Sequence, residues 1–157
     1  MDRQALELLR SLLTGERLLA LAVVVGGEPV AGILPFLADR GLDSLLVHVS
    51  GMARHSRGLS PGARVSVAIH HPLGAGDDAL RAPRLLADAR VEEVSAEQRP
   101  AIATAWTAAF PSAAMTVGLG DFVFRRLRLE SARLVAGFAQ AHGVTSHDLE
   151  AAASLAD

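Results

Sequence analysis

Leu18-Leu19-Ala20-Leu21-Ala22-Val23-Val24-Val25-Gly26-Gly27-Glu28-Pro29-Val30-Ala31-Gly32-Ile33-Leu34-Pro35-Phe36 decides the architecture. Leu18–Val25 is aliphatic, rich in branched residues and reads as a buried strand. Gly26-Gly27 supplies the positive backbone angles of a tight hairpin, and Glu28–Phe36 returns as the partner strand. Pro35 cannot donate to a ladder, which places a bulge or an edge there. A two-residue turn leaves no room for a crossover, so the pair is antiparallel.

Upstream, Asp2 caps a predicted helix through about Leu13. Ala5, Leu6, Leu8, Leu9, Leu12 and Leu13 form its apolar stripe, and Gly15 stops it. Downstream, Asp39-Arg40-Gly41 is a turn, Ser44–Ser50 a third strand, Pro61-Gly62 a turn and Arg64–His70 a fourth strand. His71–Arg81 reads as a loop and Pro83–Val94 as a fifth strand. Ser95 and Gln98 have capping-box spacing, which predicts a helix from Ala96 to about Ala109, ended by Pro111. Asp121–Leu129 and Arg133–Phe138 read as a sixth strand and a shorter seventh. Thr145-Ser146-His147-Asp148 opens a last helix with an Ala-rich tail to Asp157. Short connections make the sheet mainly antiparallel, and about six such strands close most easily into a small barrel. The expectation is one mainly β domain over residues 1–157 with flanking helices.

Composition narrows the chemistry. The chain has 157 residues, 50% of them hydrophobic, a formal charge of −2, and no Cys, Lys, Tyr or Asn, so its 15 basic residues are all Arg. Without Cys there is no disulfide, thiolate nucleophile or zinc–thiolate site. Without Lys there is no Schiff base and no phosphate-loop lysine. No basic field points to nucleic acid. The longest apolar run, Leu18–Val25, is far short of the roughly 20 residues of a membrane-spanning helix, and the N-terminus lacks signal-peptide layout. A cytoplasmic protein is the expectation.

One polar stretch interrupts the β pattern: Ser50-Gly51-Met52-Ala53-Arg54-His55-Ser56-Arg57-Gly58-Leu59. A strand end, a glycine turn, two Arg forks and hydroxyls suit a phosphate; the competing reading is a solvated loop. Arg84 follows Pro83 at a strand start, where it turns into a pocket or pairs with a surface acid. His70 and His71 point to opposite faces of a strand and make poor joint metal ligands. Asp77-Asp78 reads as solvated. No H-E-x-x-H, G-x-S-x-G or G-x-G-x-x-G occurs, and no residue stands out as a general acid or base.

Five blocks in register carry a resemblance: Pro29–Phe36, Val49–Leu59, Ala82–Leu85, Gly118–Phe122 and Arg133–Ala141. Together they resemble the FMN-binding split barrel of pyridoxamine 5′-phosphate oxidase-like proteins, in particular the haem-utilisation branch. The resemblance implies an antiparallel six-stranded split barrel, a homodimer with FMN at the subunit interface, and a small-molecule substrate. It implies that Arg54, His55 and Ser56 hold the phosphate. The backbone of Gly32, Ile33, Leu34 and Pro35 would lie along the flavin ring, Val49 and Ser50 would approach it, and Arg84 would stand near it.

Two departures matter. Where true pyridoxamine 5′-phosphate oxidases carry an R-L-H-D-R type substrate grip, this chain reads Gly137-Phe138-Ala139-Gln140-Ala141-His142-Gly143, which speaks against vitamin B6 oxidation. Haem-utilisation relatives also carry a further C-terminal domain, whereas this sequence is expected to be one domain. Under the haem alternative, His142 or His147 would ligate iron with support from Asp121, against the plainer reading of exposed tail histidines. The readings are thus a flavin-dependent oxidoreductase, a haem-binding or haem-degrading protein, and a binding module that kept the fold without a cofactor. An F420-like deazaflavin in place of FMN is not distinguished by these residues.

Overall fold

The computed structural model describes residues 1–137 and 140–155. Helix α1 (Arg3–Gly15) starts where the Asp2 carboxylate accepts the Ala5 N–H at 2.8 Å, and it buries Ala5, Leu9, Leu12 and Leu13. Strands β1 (Leu18–Val25) and β2 (Glu28–Pro35) form the expected hairpin, with Gly26 and Gly27 at φ 61° and 84°. Then come β3 (Leu37–Ala38), β4 (Ser44–Ser50), β5 (Arg64–His70) and β6 (Arg84–Glu93). Helices α2 (Arg99–Ala109) and α3 (Ala114–Val117) precede β7 (Phe122–Gly137), β8 (Gln140–Val144) and α4 (Ser146–Ala153).

Each strand pairing is antiparallel, in the order β2-β1-β5-β6-β7-β4-β3, with β8 also on β7. The sheet curls into a half-barrel, the split barrel expected from the sequence. Its strands alternate inward and outward residues, so Leu19, Leu21, Val23, Val30, Leu34, Val65, Val67 and Ile69 meet α1 in one core. β4 is covered on both faces. Leu45, Val47 and Val49 enter that core, while Leu46 joins Val94, Ile102, Trp106 and Phe124 in a second, smaller one under α2. The outward face of β2-β1-β5-β6 is bare and apolar, with Leu18, Val24, Ile33 and Leu86 exposed among Ala20, Ala22 and Ala31.

Several boundaries differ from the sequence reading. The sixth and seventh strands are one strand, β7, with an irregularity where Asp88 faces Ser131 and Ala89 faces Leu129. Glu130 is the extra residue, and such a bulge lets a strand bend without ending. The Phe138 end expected for the seventh strand, and Ala156 and Asp157 of the tail, lie outside the described residues. β8, in a stretch to which the sequence reading assigns no element, forms by pairing with the β7 edge from Ala132 to Gly137. Ser95 and Gln98 do exchange reciprocal hydrogen bonds at 3.4 Å, but on a turn before α2, which begins at Arg99 with Pro100 in its first turn.

The link from β4 to β5 holds a short 3-10 turn, Arg54–Gly58, laid against the β1–β2 hairpin. Gly58 makes this possible: a Cβ there would stand 2.6 Å from Val23 Cβ and 2.7 Å from its Cγ2. Gly58→Ala is therefore expected to destabilise the fold by roughly 1–3 kcal/mol in urea titration. Val23→Gly, which removes both the Cβ and the Cγ2 that a side chain at position 58 would strike, should make the loss in the double variant smaller than the sum of the two single losses. Additive losses in the double variant would refute the contact.

Candidate functional site

The 3-10 turn gathers the polar residues singled out in the sequence. His55 lies flat on β2: a Cβ on Gly32 would meet its Nδ1 at 2.9 Å and Cγ at 3.0 Å. The absence of a side chain at Gly32 is what admits the ring. Ser56 Oγ is buried and has no hydrogen-bond partner. Arg54 and Arg57 are exposed and form no ion pair with an acid among the described residues. Two free guanidinium groups, an imidazole and an unpartnered buried hydroxyl within four residues leave donors with nothing to donate to. A buried polar atom without a partner is costly, so an anionic group fits here.

Ser50, expected to approach the cofactor, ends β4 and is hydrogen-bonded within the chain. Its Oγ donates to Asp121 Oδ2 at 3.0 Å and accepts the Met52 N–H at 3.2 Å, while the Gly51 N–H donates to the Asp121 carbonyl at 2.7 Å. Ser50 and Asp121 thus fix the turn that aims residues 53–58 across the barrel. Val49 is buried in the core beside Val123.

On β2, Leu34 points into the core, Ile33 points out and is 71% exposed, and Pro35 is half-buried opposite Leu18. Arg84 pairs in register with His70 and Val135 and donates from Nη1 to the Ala82 carbonyl at 3.1 Å. It stands on β6, three strands from β2, so one chain brings together Gly32, His55 and Ser56 but not Arg84.

The haem-alternative residues are also apart within one chain. Asp121 precedes the first residue of β7, whereas His142 pairs with Leu134, twelve residues along that strand. That is about 40 Å of strand contour. His147 is exposed at the start of α4, next to Asp148. Asp148 holds α4's start through a reciprocal cap with Thr145, whose hydrogen bonds keep its carboxyl at a pKa of about 2. Among the described residues no cluster of three or more His, Cys, Asp or Glu side chains could hold a metal ion.

Sequence reasoning missed an aromatic group on the other face of β4. His48 is 8% exposed and stacks on Phe124 with ring centroids 4.2 Å apart at 26°. Phe122 lies 5.1 Å away, and Trp106 meets His48 edge-on at 5.9 Å. Burial pushes the His48 pKa down, so the ring is neutral at pH 7. A signal existed: His48 is the one ionisable residue inside Ser44–Ser50, two positions from Ser50 and hence on its face.

No protein-family model matches the chain, and no curated protein sequence does. Solved structures do match. A heme-binding protein from Mycobacterium smegmatis is 26% identical with a TM-score of 0.81 over 96% of this chain, which spans 62% of that protein's length. HutZ of Vibrio cholerae, described as a heme storage protein, is 25% identical with a TM-score of 0.65, covering 82% of this chain and 89% of its own. An FAD-binding protein from Mesorhizobium loti is 20% identical with a TM-score of 0.60, covering 84% of this chain and 92% of its own, a likeness of fold. The chain has the split-barrel fold of pyridoxamine 5′-phosphate oxidase-like proteins, and two of these neighbours are named for heme. Among the described residues no helix is long and apolar enough to cross a membrane.

The buried, neutral His48 makes a pH prediction. Unfolding restores its ordinary pKa near 6.5, so below that pH the unfolded chain binds a proton that the folded chain refuses. Stability is therefore expected to fall from about pH 7 to about pH 5. His48→Phe keeps the stack, removes the proton, and should flatten this part of the curve. Parallel urea-midpoint curves for the two proteins would count against a refused proton at His48.

Proposed function

We propose that the protein is an FMN-binding split-barrel flavoprotein whose phosphate site is the 3-10 turn Arg54–Gly58. The unpartnered, buried Ser56 hydroxyl carries this reading, since a phosphate oxygen supplies the acceptor it lacks. Arg54 offers a charge-assisted fork, and Arg57 adds positive charge beside it. His55, held flat by Gly32, contributes a ring donor next to the β2 backbone. When bound, FMN supplies two-electron transfer to or from a small substrate, while the protein orients it and excludes water. Without charged groups matching the B6-oxidase substrate grip, that substrate is not pyridoxamine 5′-phosphate.

The second reading is a haem-binding protein, favoured by the neighbours at 26% and 25% identity, both named for heme. Because Asp121 and His142 stand apart in one chain, the haem set implied by the resemblance needs residues from two copies. The absorbance spectrum of what copurifies separates flavin from haem.

Both readings gain from a homodimer closed over the bare β2-β1-β5-β6 face. The middle of this face carries small and apolar side chains with Asp88 of β6, and Arg133 of the neighbouring β7 borders it, while Arg64 and Arg90 lie toward one end. Asp88 accepts hydrogen bonds from Ser66 at 2.7 Å and Ser131 at 3.1 Å, which keep its pKa low. Across a two-fold axis, Asp88 of one copy can meet Arg133 of the other, giving a self-complementary patch.

Two outcomes follow. Arg54→Ala should weaken FMN binding by roughly ten- to two-hundred-fold, the equivalent of about 1.5–3 kcal/mol for a charge-assisted bond, and leave riboflavin binding unchanged. Flavin-fluorescence quenching measures both, and equal losses for the two ligands would remove Arg54 from the phosphate site. In sedimentation, the wild type should run as a dimer at micromolar concentration and Leu86→Glu as a folded monomer. A monomeric wild type would refute the interface.

A further inference from the structure

The space beside His48 is a chamber of about 460 Å³ between the β4–β7 face and helices α2 and α3. That size is within the range of small-molecule sites. Its floor is aromatic, formed by His48, Phe122 and Phe124, and its walls are aliphatic, including Ala103, Val117 and Leu119. Nine-tenths buried, His48 makes no hydrogen bond among the described residues, and its ring borders this chamber. A neutral imidazole in such a place has one donor and one acceptor nitrogen to satisfy. The apolar walls offer a bridging water few of the two to four polar partners it needs.

Charge at the mouth has one sign. Arg99 borders the chamber, is exposed, and pairs with no acid among the described residues. It is the first residue of the eleven-residue helix α2, whose first turn holds no acidic residue and has no side-chain cap. A cation there adds to the positive end of the helix instead of offsetting it. Glu97, two residues before Arg99, is not among the lining residues and is hydrogen-bonded to Ser95, and Asp121, next to Phe122, is turned to the Ser50 hydroxyl.

We propose that this chamber binds a planar aromatic carboxylate of one or two fused rings, its rings on His48, Phe122 and Phe124 and its carboxylate on Arg99. The aromatic floor selects a flat ring by stacking. The free imidazole selects a ligand with a ring or side-chain hydrogen-bonding group. Arg99 selects the anion. The site lies on the opposite face of β4 from Val47 and Val49 and draws on none of Arg54, His55 or Ser56, so it stands independently of the flavin reading.

The probes are 1-naphthoate and its uncharged analogue 1-naphthamide, titrated by calorimetry into the full chain. Location is read from the indole N–H resonance of Trp106, the only tryptophan, whose ring lies 5.9 Å from His48. We expect saturable 1-naphthoate binding that shifts this resonance, with 1-naphthamide at least tenfold weaker. Arg99→Gln, at an exposed position, should erase that difference by weakening 1-naphthoate alone. Ala103→Phe, which fills the chamber, should abolish both. No saturable binding at millimolar probe, no shift of the Trp106 resonance, or equal losses of both probes in Arg99→Gln would each overturn the proposal.

Discussion

β7 runs for sixteen residues, hydrogen-bonded along one edge to β6 and along the other first to β4 and then to β8. The bulge at Glu130 lets it bend between those two partners without giving up its ladder with β6. Its first half therefore holds β4 in the barrel wall, and its second half brings β8 and α4 back against α1. Because β4 is fixed there, its two faces serve different cores. Val47 and Val49 close the barrel, while Leu46 and His48 face α2. The turn after Ser50 is then aimed by Asp121, the residue just before β7 begins.

The hairpin, β4 and β5 were legible because their chemistry is local. Leu18–Val25, Ser44–Ser50 and Arg64–His70 are bounded by glycine, proline or charged turns and alternate or run apolar between them. The rest was hidden because it depends on distant partners. Leu129-Glu130-Ser131-Ala132 has no apolar alternation, so it reads as a break; β6 holds it extended regardless. Gln140-Ala141-His142-Gly143-Val144 has weak strand propensity, yet the open β7 edge offers its backbone a ladder. Those hydrogen bonds outweigh propensity, which for strands spans only about 1 kcal/mol.

The polar turn was legible for the same reason the hairpin was: its residues are contiguous. Arg54, His55, Ser56 and Arg57 come together whatever the barrel does. What the sequence could not display is their setting. Gly32 is 23 positions before His55, and only the fold shows that the missing Cβ leaves room for the ring. Ser50, contiguous with the turn, proved to be committed to Asp121, 71 residues away. His48 was concealed more fully, since its aromatic neighbours come from α2 and β7 and no spacing links them.

Gly58 and Gly32 set the same kind of constraint at two points of one short turn. At Gly58 the chain has surrendered a side chain so that the turn can touch Val23; at Gly32 it has done so to let His55 touch β2. Close packing alone would be served as well by apolar residues on the turn. Instead the turn carries two exposed arginines that pair with no acid among the described residues, a half-buried imidazole, and a buried hydroxyl without a partner, whose desolvation costs stability when nothing answers it. Under the proposed function, a phosphate from outside the chain would supply the acceptor that the Ser56 hydroxyl lacks. Gly32 and Gly58 set where the His55 ring and the turn backbone lie, so such an anion would have to order chiefly the exposed Arg54 and Arg57 side chains.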